Sequence, residues 1–325
     1  MRNPIIAVVL AMLAIGCGQR GESGKAREKK PTVAVIPKGT SHVFWQSVHA
    51  GAQKAGKELG VEILWDGPAT EGERAEQIRI VEDMITRQVD GIVLAPLDDK
   101  ALVPVIERAQ KAGIPLTIFD SAAATDRYVS FVATNNYQGG VEGAKAMGKL
   151  LNGTGAIAVV KYSPGSASTA KRENGFMETI KKEYPEITIA DAQYAGTTVS
   201  KALGVAEDIL TKNPKLDGIF ACNESTTVGT VQAVKARGLT SKLRMVGFDC
   251  SPQLQEALKT KVLDVLVVQN PFKMGYEGVK TIVDVKNGKT PPKSIDTGVT
   301  VVTRDNLDTP AIQALVNPDL DKWLR

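Results

Sequence analysis

Val89-Asp90-Gly91-Ile92-Val93-Leu94-Ala95 decides the fold, because Leu216-Asp217-Gly218-Ile219-Phe220-Ala221-Cys222 repeats its character with Asp-Gly-Ile identical. Each stretch is a polar entry followed by a short apolar run without polar alternation. Such a run reads as a strand covered on both faces, as in a parallel sheet flanked by helices. A second echo follows each one: Ile118-Phe119-Asp120-Ser121 resembles Gly247-Phe248-Asp249-Cys250-Ser251. The same βα unit thus recurs at similar places in two halves. Generic βα units share constraints, so a chance echo remains the alternative at this point.

Working outward, strands are expected at Thr32–Ile36, Val61–Trp65, Gly91–Ala95, Leu116–Phe119 and Phe131–Ala133. Helices fall between them at Phe44–Leu59, with Ser41 as its cap, and at Glu73–Arg87 and Ala101–Ala112. The alternation resumes with helix Gln138–Leu151, strand Ala156–Val160, helix Thr169–Glu183 and strand Thr188–Tyr194. Helix Lys201–Lys212, strand Gly218–Ala221, helix Thr226–Arg237 and strand Arg244–Phe248 complete the pattern. The fold class is α/β, with two similar doubly wound parallel-sheet lobes.

The first 31 residues stand apart. Arg2 precedes an apolar run from Ile5 to Ile15, too short to span a bilayer and suited to a signal peptide. It ends in Ala14-Ile15-Gly16-Cys17, which resembles the bacterial lipoprotein cleavage box, although that box more often has Leu where Ala14 stands. Residues 1–16 are therefore expected to be a signal peptide, Cys17 to be acylated, and residues 17–31 to be a flexible tether. Six basic residues against Glu22 and Glu28 give this segment a net charge of +4, equal to that of the whole chain. The remainder is neutral, so the basic balance is not a nucleic-acid-binding surface.

In open α/β sheets ligands bind beyond the carboxyl ends of the strands. The residues there include Lys38, His42, Phe44, Trp45, Asp120-Ser121, the run Tyr162 to Thr169, Asn223-Glu224, Asp249 and Gln269. Carboxylates and amides pair with neighbouring hydroxyls, and an aromatic face covers the C–H surface of a sugar ring. An Asp after a strand equally often caps the next helix. Gly143-Ala144-Lys145-Ala146-Met147-Gly148-Lys149 imitates a phosphate loop but continues into Leu150, where Ser or Thr is required, and lies within a helix. His42 and His49 have no carboxylate or Cys at ligand spacing, so neither metal nor cofactor is expected. Cys222 and Cys250 read as buried free thiols.

These residues resemble the periplasmic ribose-type (type 1) sugar-binding proteins of ABC transporters, relatives of the ligand-binding half of lactose-repressor-like regulators. The resemblance covers residues 32–305. It rests on Gly51-Ala52-Gln53-Lys54, Ile114-Pro115 through Asp120, Asn136 with Gly139-Gly140, and Arg172 with Gly175-Phe176. Asn223, Val246-Gly247-Phe248-Asp249 and Gln269 complete it. It implies ligand contacts from Phe44, Trp45, Asp120, Asn223, Phe248, Asp249 and Gln269. Lys38, His42, Ser121, Asn136, Ser168 and Arg172 join the candidate site. Lys38 and His42 stand where a ribose binder has Ser and Asn, Ala95 where it has Asn, and Ser121 where it has Arg. Ala170 and Thr197 replace a further Arg and a packing Phe. Ribose itself is thereby disfavoured and a larger sugar accommodated.

The resemblance also implies a three-segment hinge near Thr134–Asn136, Gln269–Asn270 and Thr297–Val299. The expected lobes are 32–135 plus 270–297 and 136–269 plus 298–310, followed by a tail at 311–325. The expected function is capture of a monosaccharide or polyol, without catalysis, by an exported monomer that is lipid-anchored to a membrane and serves an ABC permease. A sensor feeding chemotaxis or a two-component system is the alternative, and a sugar-active enzyme is a further one. A regulator of this fold would need an N-terminal helix-turn-helix where the export signal stands.

Overall fold

The computed structural model describes Met1 and residues 30–325. The expected signal peptide and the expected acylation site Cys17 lie outside the described residues. The first lobe opens with β1 (Thr32–Ile36), α1 (Val43–Leu59), β2 (Glu62–Trp65), α2 (Arg74–Thr86) and β3 (Gly91–Leu94). It continues through α3 (Val103–Lys111), β4 (Leu116–Phe119) and β5 (Phe131–Ala133). The second lobe contains α4 (Asn136–Leu150), β6 (Thr154–Lys161), α5 (Ala167–Glu183), β7 (Glu186–Tyr194) and α6 (Val199–Lys212). Then come β8 (Gly218–Ala221), α7 (Glu224–Ala236), β9 (Arg244–Phe248), α8 (Pro252–Lys259) and β10 (Val265–Gln269). The chain returns to the first lobe for α9 (Pro271–Lys286) and β11 (Ser294–Asp296). It ends with β12 (Val299–Thr303), α10 (Pro310–Val316) and α11 (Asp321–Leu324).

The two sheets share one plan. Their strand orders are β11-β5-β4-β3-β1-β2 and β12-β10-β9-β8-β6-β7, so each strand of one has a counterpart in the other. Among the described residues the only antiparallel pairing is that of β10 with β12. The Asp-Gly-Ile echo has a physical cause. Asp90 Oδ2 accepts from Thr32 N at 2.7 Å, and Asp217 Oδ2 accepts from Ala156 N at 2.8 Å. Each Asp ties its strand to the neighbouring central one. The next residue is glycine because a helix lies against it. A Cβ on Gly91 would meet Ile282 at 2.2 Å, and one on Gly218 would meet the Met147 sulfur at 2.7 Å.

Successive residues of the central strands feed two separate cores. Val33 and Val35 enter the core beneath α1 and α9, while Ala34 and Ile36 enter the one beneath α2 and α3. Ile157 with Val159, and Ala158 with Val160, divide in the same way in the second lobe. Each fully buried Val or Ile contributes roughly 1.5–3 kcal/mol, which explains why the strands carry no polar alternation.

Among the described residues, two helix pairs cross at backbone contact through a glycine on each helix. A Cβ on Gly51 would lie 1.9 Å from the Phe272 carbonyl oxygen, and one on Gly275 2.0 Å from that of Val48, which locks α1 to α9. Gly140 and Gly175 do the same for α4 and α5, with the Arg172 and Tyr137 carbonyl oxygens at 2.1 and 2.2 Å.

Several helices start two residues before the expected positions, because capping sets their first turn and the apolar stripe begins later. Asn135, Thr198 and Asn223 accept from the amides of Gln138, Lys201 and Thr226. Ser41 does not cap α1: the N-cap is His42, which makes no side-chain capping bond. The last residues also depart from the expected tail. Ile312 and Val316 of α10 enter the second-lobe core. Beyond them α11 packs on α1 of the first lobe, where Lys57 lies 5.6 Å from the Trp323 ring. The chain thus bridges the lobes a fourth time.

Candidate functional site

The carboxyl ends of the two sheets face each other across a polar cleft, at the reversal of strand order where doubly wound sheets bind ligands. Lys38 follows β1, Glu71 follows β2, Asp120 follows β4, Tyr162 follows β6, Asn223 and Glu224 follow β8, Asp249 follows β9, and Gln269 ends β10. All of these line one space of about 30 Å³, together with His42, Phe44, Trp45, Ser168, Thr169 and Arg172. The lobes meet directly around it.

Three groups of contacts close the cleft. Lys38 Nζ lies 3.0 Å from Asp120 Oδ2 and donates to Ser168 Oγ at 3.0 Å. Glu71 accepts from the Trp45 indole N–H at 2.6 Å and from the Tyr162 hydroxyl of the opposite lobe, and its Oε1 lies 3.2 Å from His42 Nδ1. Glu224 of the second lobe accepts from the amides of Val43 and Phe44, at 3.4 and 3.0 Å. These amides open α1, so a carboxylate from the other lobe supplies the cap that the helix lacks locally.

Arg172 is held from several sides. Its Nε donates to Asn136 Oδ1 at 2.7 Å and its Nη1 to the Cys222 carbonyl at 3.1 Å. Phe248 lies beneath it, 4.1 Å from ring centroid to guanidinium. Asp120 and Asp249 each come within 3.9 Å of it. Asp249 accepts from Gln269 Nε2 at 2.7 Å and from Glu224 N at 2.9 Å, whereas Ser251 caps the helix that follows it. Asp120 and Asp249 both adopt positive φ, 57° and 68°, matching their equivalent places in the two lobes.

The charges are tuned by these contacts. Burial opposes ionisation of His42, but the hydrogen bond and charge of Glu71, reinforced by Glu224 and Asp249, raise its pKa to about 9. Burial likewise opposes ionisation of Glu71, yet His42, Lys38 and Tyr162 lower its pKa to about 2. Burial dominates at Glu224, raised to about 7, and pushes Asp249 upward as well. The cations Lys38, His42 and Arg172 each have a carboxylate partner, while the fourth carboxylate, Glu224, is held by backbone amides.

Ten of the thirteen candidate residues line the cleft space: Lys38, His42, Phe44, Trp45, Asp120, Ser168, Arg172, Asn223, Asp249 and Gln269. Ser121, Asn136 and Phe248 stand one layer behind. Ser121 Oγ accepts from Ser168 N at 3.1 Å across the lobes, Asn136 orients Arg172, and Phe248 supports its guanidinium. Arg172 occupies the cleft while Ala170 is exposed. Glu71 was not reached from the sequence, and Tyr162, Thr169 and Glu224, though at the strand ends, were not among the thirteen. Tyr162 and Glu224 follow strand ends and were legible by that rule, but Glu71 sits in the polar run Thr70-Glu71-Gly72-Glu73, which reads as ordinary surface loop. Cys222 and Cys250 are both free, the first buried beneath the cleft.

Two lobes of one plan, joined by short connectors around a polar cleft, define a two-lobed binding protein. Residues 33–290 match the periplasmic binding protein domain family, and the chain belongs to that family. The D-allose-binding periplasmic protein of Escherichia coli strain K12 is 33% identical over 268 residues, which cover 80% of this chain and 86% of that protein. An ABC-transporter solute-binding protein from Agrobacterium vitis, solved with bound D-fucose, superimposes with a TM-score of 0.85 at 39% identity, covering 88% of this chain and 99% of that one. A carbohydrate-transporter solute-binding protein from Agrobacterium radiobacter, in complex with D-arabinose, also gives a TM-score of 0.85, at 34% identity and coverage of 89% and 99%. No helix among the described residues is long and apolar enough to cross a membrane.

Proposed function

We propose that this protein is the exported sugar-binding component of an ABC importer, holding a neutral monosaccharide between its closing lobes. The observation that carries the reading is that every cation of the cleft is already paired with a carboxylate of the protein. Each cation faces a carboxylate of the protein, so an anionic ligand would have to displace one, whereas hydroxyl groups can bridge between them. Trp45 and Phe44 supply the apolar wall. Relatives that carry D-allose, D-arabinose and D-fucose agree with this class of ligand. The same pairing suits holding a ligand better than moving protons, which favours a binding role over catalysis.

Acylation at Cys17 would tether the binder beside its permease. One chain alone binds a bilayer only marginally, so stable anchoring needs the several chains of a lipoprotein. Cys17→Ser should leave the protein unprocessed or soluble.

The functional reading is tested by thermal shift with neutral pentoses and hexoses against the matching uronic acids, since a ligand of the folded state raises the melting temperature. A rise with a neutral sugar, accompanied by a change in Trp fluorescence that is lost in Trp45→Phe, is the expected result. A response to acids alone overturns it.

A further inference from the structure

The connectors between the two sheets follow β5, β10 and β11, which lie toward one end of the sheet orders, as β11-β5 and as β12-β10. The opposite ends are β2 and β7, each four strand spacings from β5 or β10. That is a lever of roughly 20 Å.

The loops that leave these far edges meet. Gly72 follows β2 and Thr197 follows β7, and a Cβ on Gly72 would lie 3.0 Å from Thr197 Oγ1. Closer to the connectors, the loop after β3 meets the turn after β6. Asp99 N donates to the Gly165 carbonyl at 2.9 Å, and a Cβ on Gly165 would lie 2.4 Å from Asp98 Oδ2. Asp98 is held in place: its Oδ1 accepts from the amides of Lys100 and Ala101 at 3.0 and 2.9 Å, and its Oδ2 lies 3.4 Å from Arg74 Nη1. The Asp99 carbonyl in turn accepts from Ala124 N at 2.7 Å. None of Gly72, Asp98, Asp99, Gly165 and Thr197 lines the cleft space.

Contacts between lobes that touch no ligand favour the closed state by themselves, and ligand affinity rises with the population of that state. At the far edges an opening of about 10° parts the loops by about 3 Å. Resting on the reading that the lobes close around a sugar, we propose that Asp98-Asp99 with Gly165, and Gly72 with Thr197, form a latch on the cleft rim that sets the strength of sugar binding from outside the site. Glycine at 72 and 165 is what lets the rim shut.

The test is a double-mutant cycle read by calorimetry with D-allose, D-arabinose and D-fucose. Gly165→Ala should weaken binding about tenfold, but about twofold or less in a protein that already carries Asp98→Ala, because the clash needs both side chains. With Asp98→Ala the two Cβ atoms stand at 3.7 Å, an ordinary contact. The positive φ of Gly165, 88°, strains any alanine there within its own lobe, so the melting temperature should fall alike in both backgrounds. Thr197→Trp, a wedge at the far edge, should also weaken binding and leave the sugar-saturated protein with a larger radius of gyration. Equal effects of Gly165→Ala on affinity in the two backgrounds, or unchanged affinity in Thr197→Trp, overturn the latch while the sugar-binding reading stands. Binding of none of the three sugars by the wild type overturns that reading, and the latch with it.

Discussion

Glu224 caps a helix that belongs to the other lobe: its Oε2 accepts from Phe44 N at 3.0 Å, and no side chain of α1's own loop does so. Closure therefore completes the helix that carries the aromatic wall. Bonds of this charge-assisted kind contribute about 1.5–3 kcal/mol. Glu224→Ala should weaken binding of a neutral sugar by about 10- to 100-fold, and Glu224→Gln by less. Solution scattering at a fixed sugar concentration should show a larger radius of gyration for the Ala variant. Unchanged affinity in both variants would remove Glu224 from the closing mechanism.

The His42–Glu71 pair sets a pH window. The raised pKa of His42 means that its contribution is complete below about 6.5 and lost as pH rises through about 9. The lowered pKa of Glu71 means that its contribution is complete above about 4.5 and lost as pH falls through about 2. Melting temperatures of the wild type and His42→Gln should thus differ most near pH 5–6 and converge above pH 9. A constant difference up to pH 10 would contradict the pairing.

Asp249 joins three elements, since it accepts from Glu224 N and Gln269 Nε2 and faces Arg172. Its removal should therefore be felt in the framework of the cleft as well as in the binding proposed for it. Asp249→Ala should lower stability by about 1–3 kcal/mol in urea unfolding, because it strips a buried amide and the Gln269 side chain of their acceptor. Sugar affinity should also fall at least tenfold. Loss of affinity with stability intact would show that these internal bonds are dispensable.

Glycines at the helix crossings and glycines in open helix should respond oppositely to alanine. Gly275→Ala drives a methyl group into the Val48 carbonyl at 2.0 Å and should cost about 3 kcal/mol. Gly204, within α6, has nothing within 4 Å of its Cβ position, and Gly204→Ala should gain about 0.5–1 kcal/mol. Urea midpoints measure both, and equal effects would refute the crossing argument.

Much of the architecture was legible because local signals and global fold agree. The run Gly91–Leu94 could only be a doubly covered strand, and the Asp before it had to meet a neighbouring strand. Most cleft residues followed from the strand-end rule. Glu71 escaped because its burial depends on Tyr162 arriving from the other lobe, a contact that leaves no trace in the loop around it. Phe248 was legible as important but not as a support for Arg172, since sequence does not tell which layer of a site an aromatic occupies. The C-terminal helices were missed because α11 is a single turn whose order comes from packing on α1.

The crossing of Gly51 with Gly275 joins segments that have almost the whole second lobe between them in sequence. From α4 to β10 the second lobe is continuous and can largely assemble as it emerges, with β12 added at its edge and α10 at its core later. The first lobe cannot. Its helix α1 presents Val48, Ala52 and Ala55 to a partner that arrives only with α9. Contacts of such separation form slowly, and the apolar surface that waits for them is prone to aggregate. The half that is synthesised first thus waits on segments made after almost the whole of the second, and it is the one that needs shielding while they arrive.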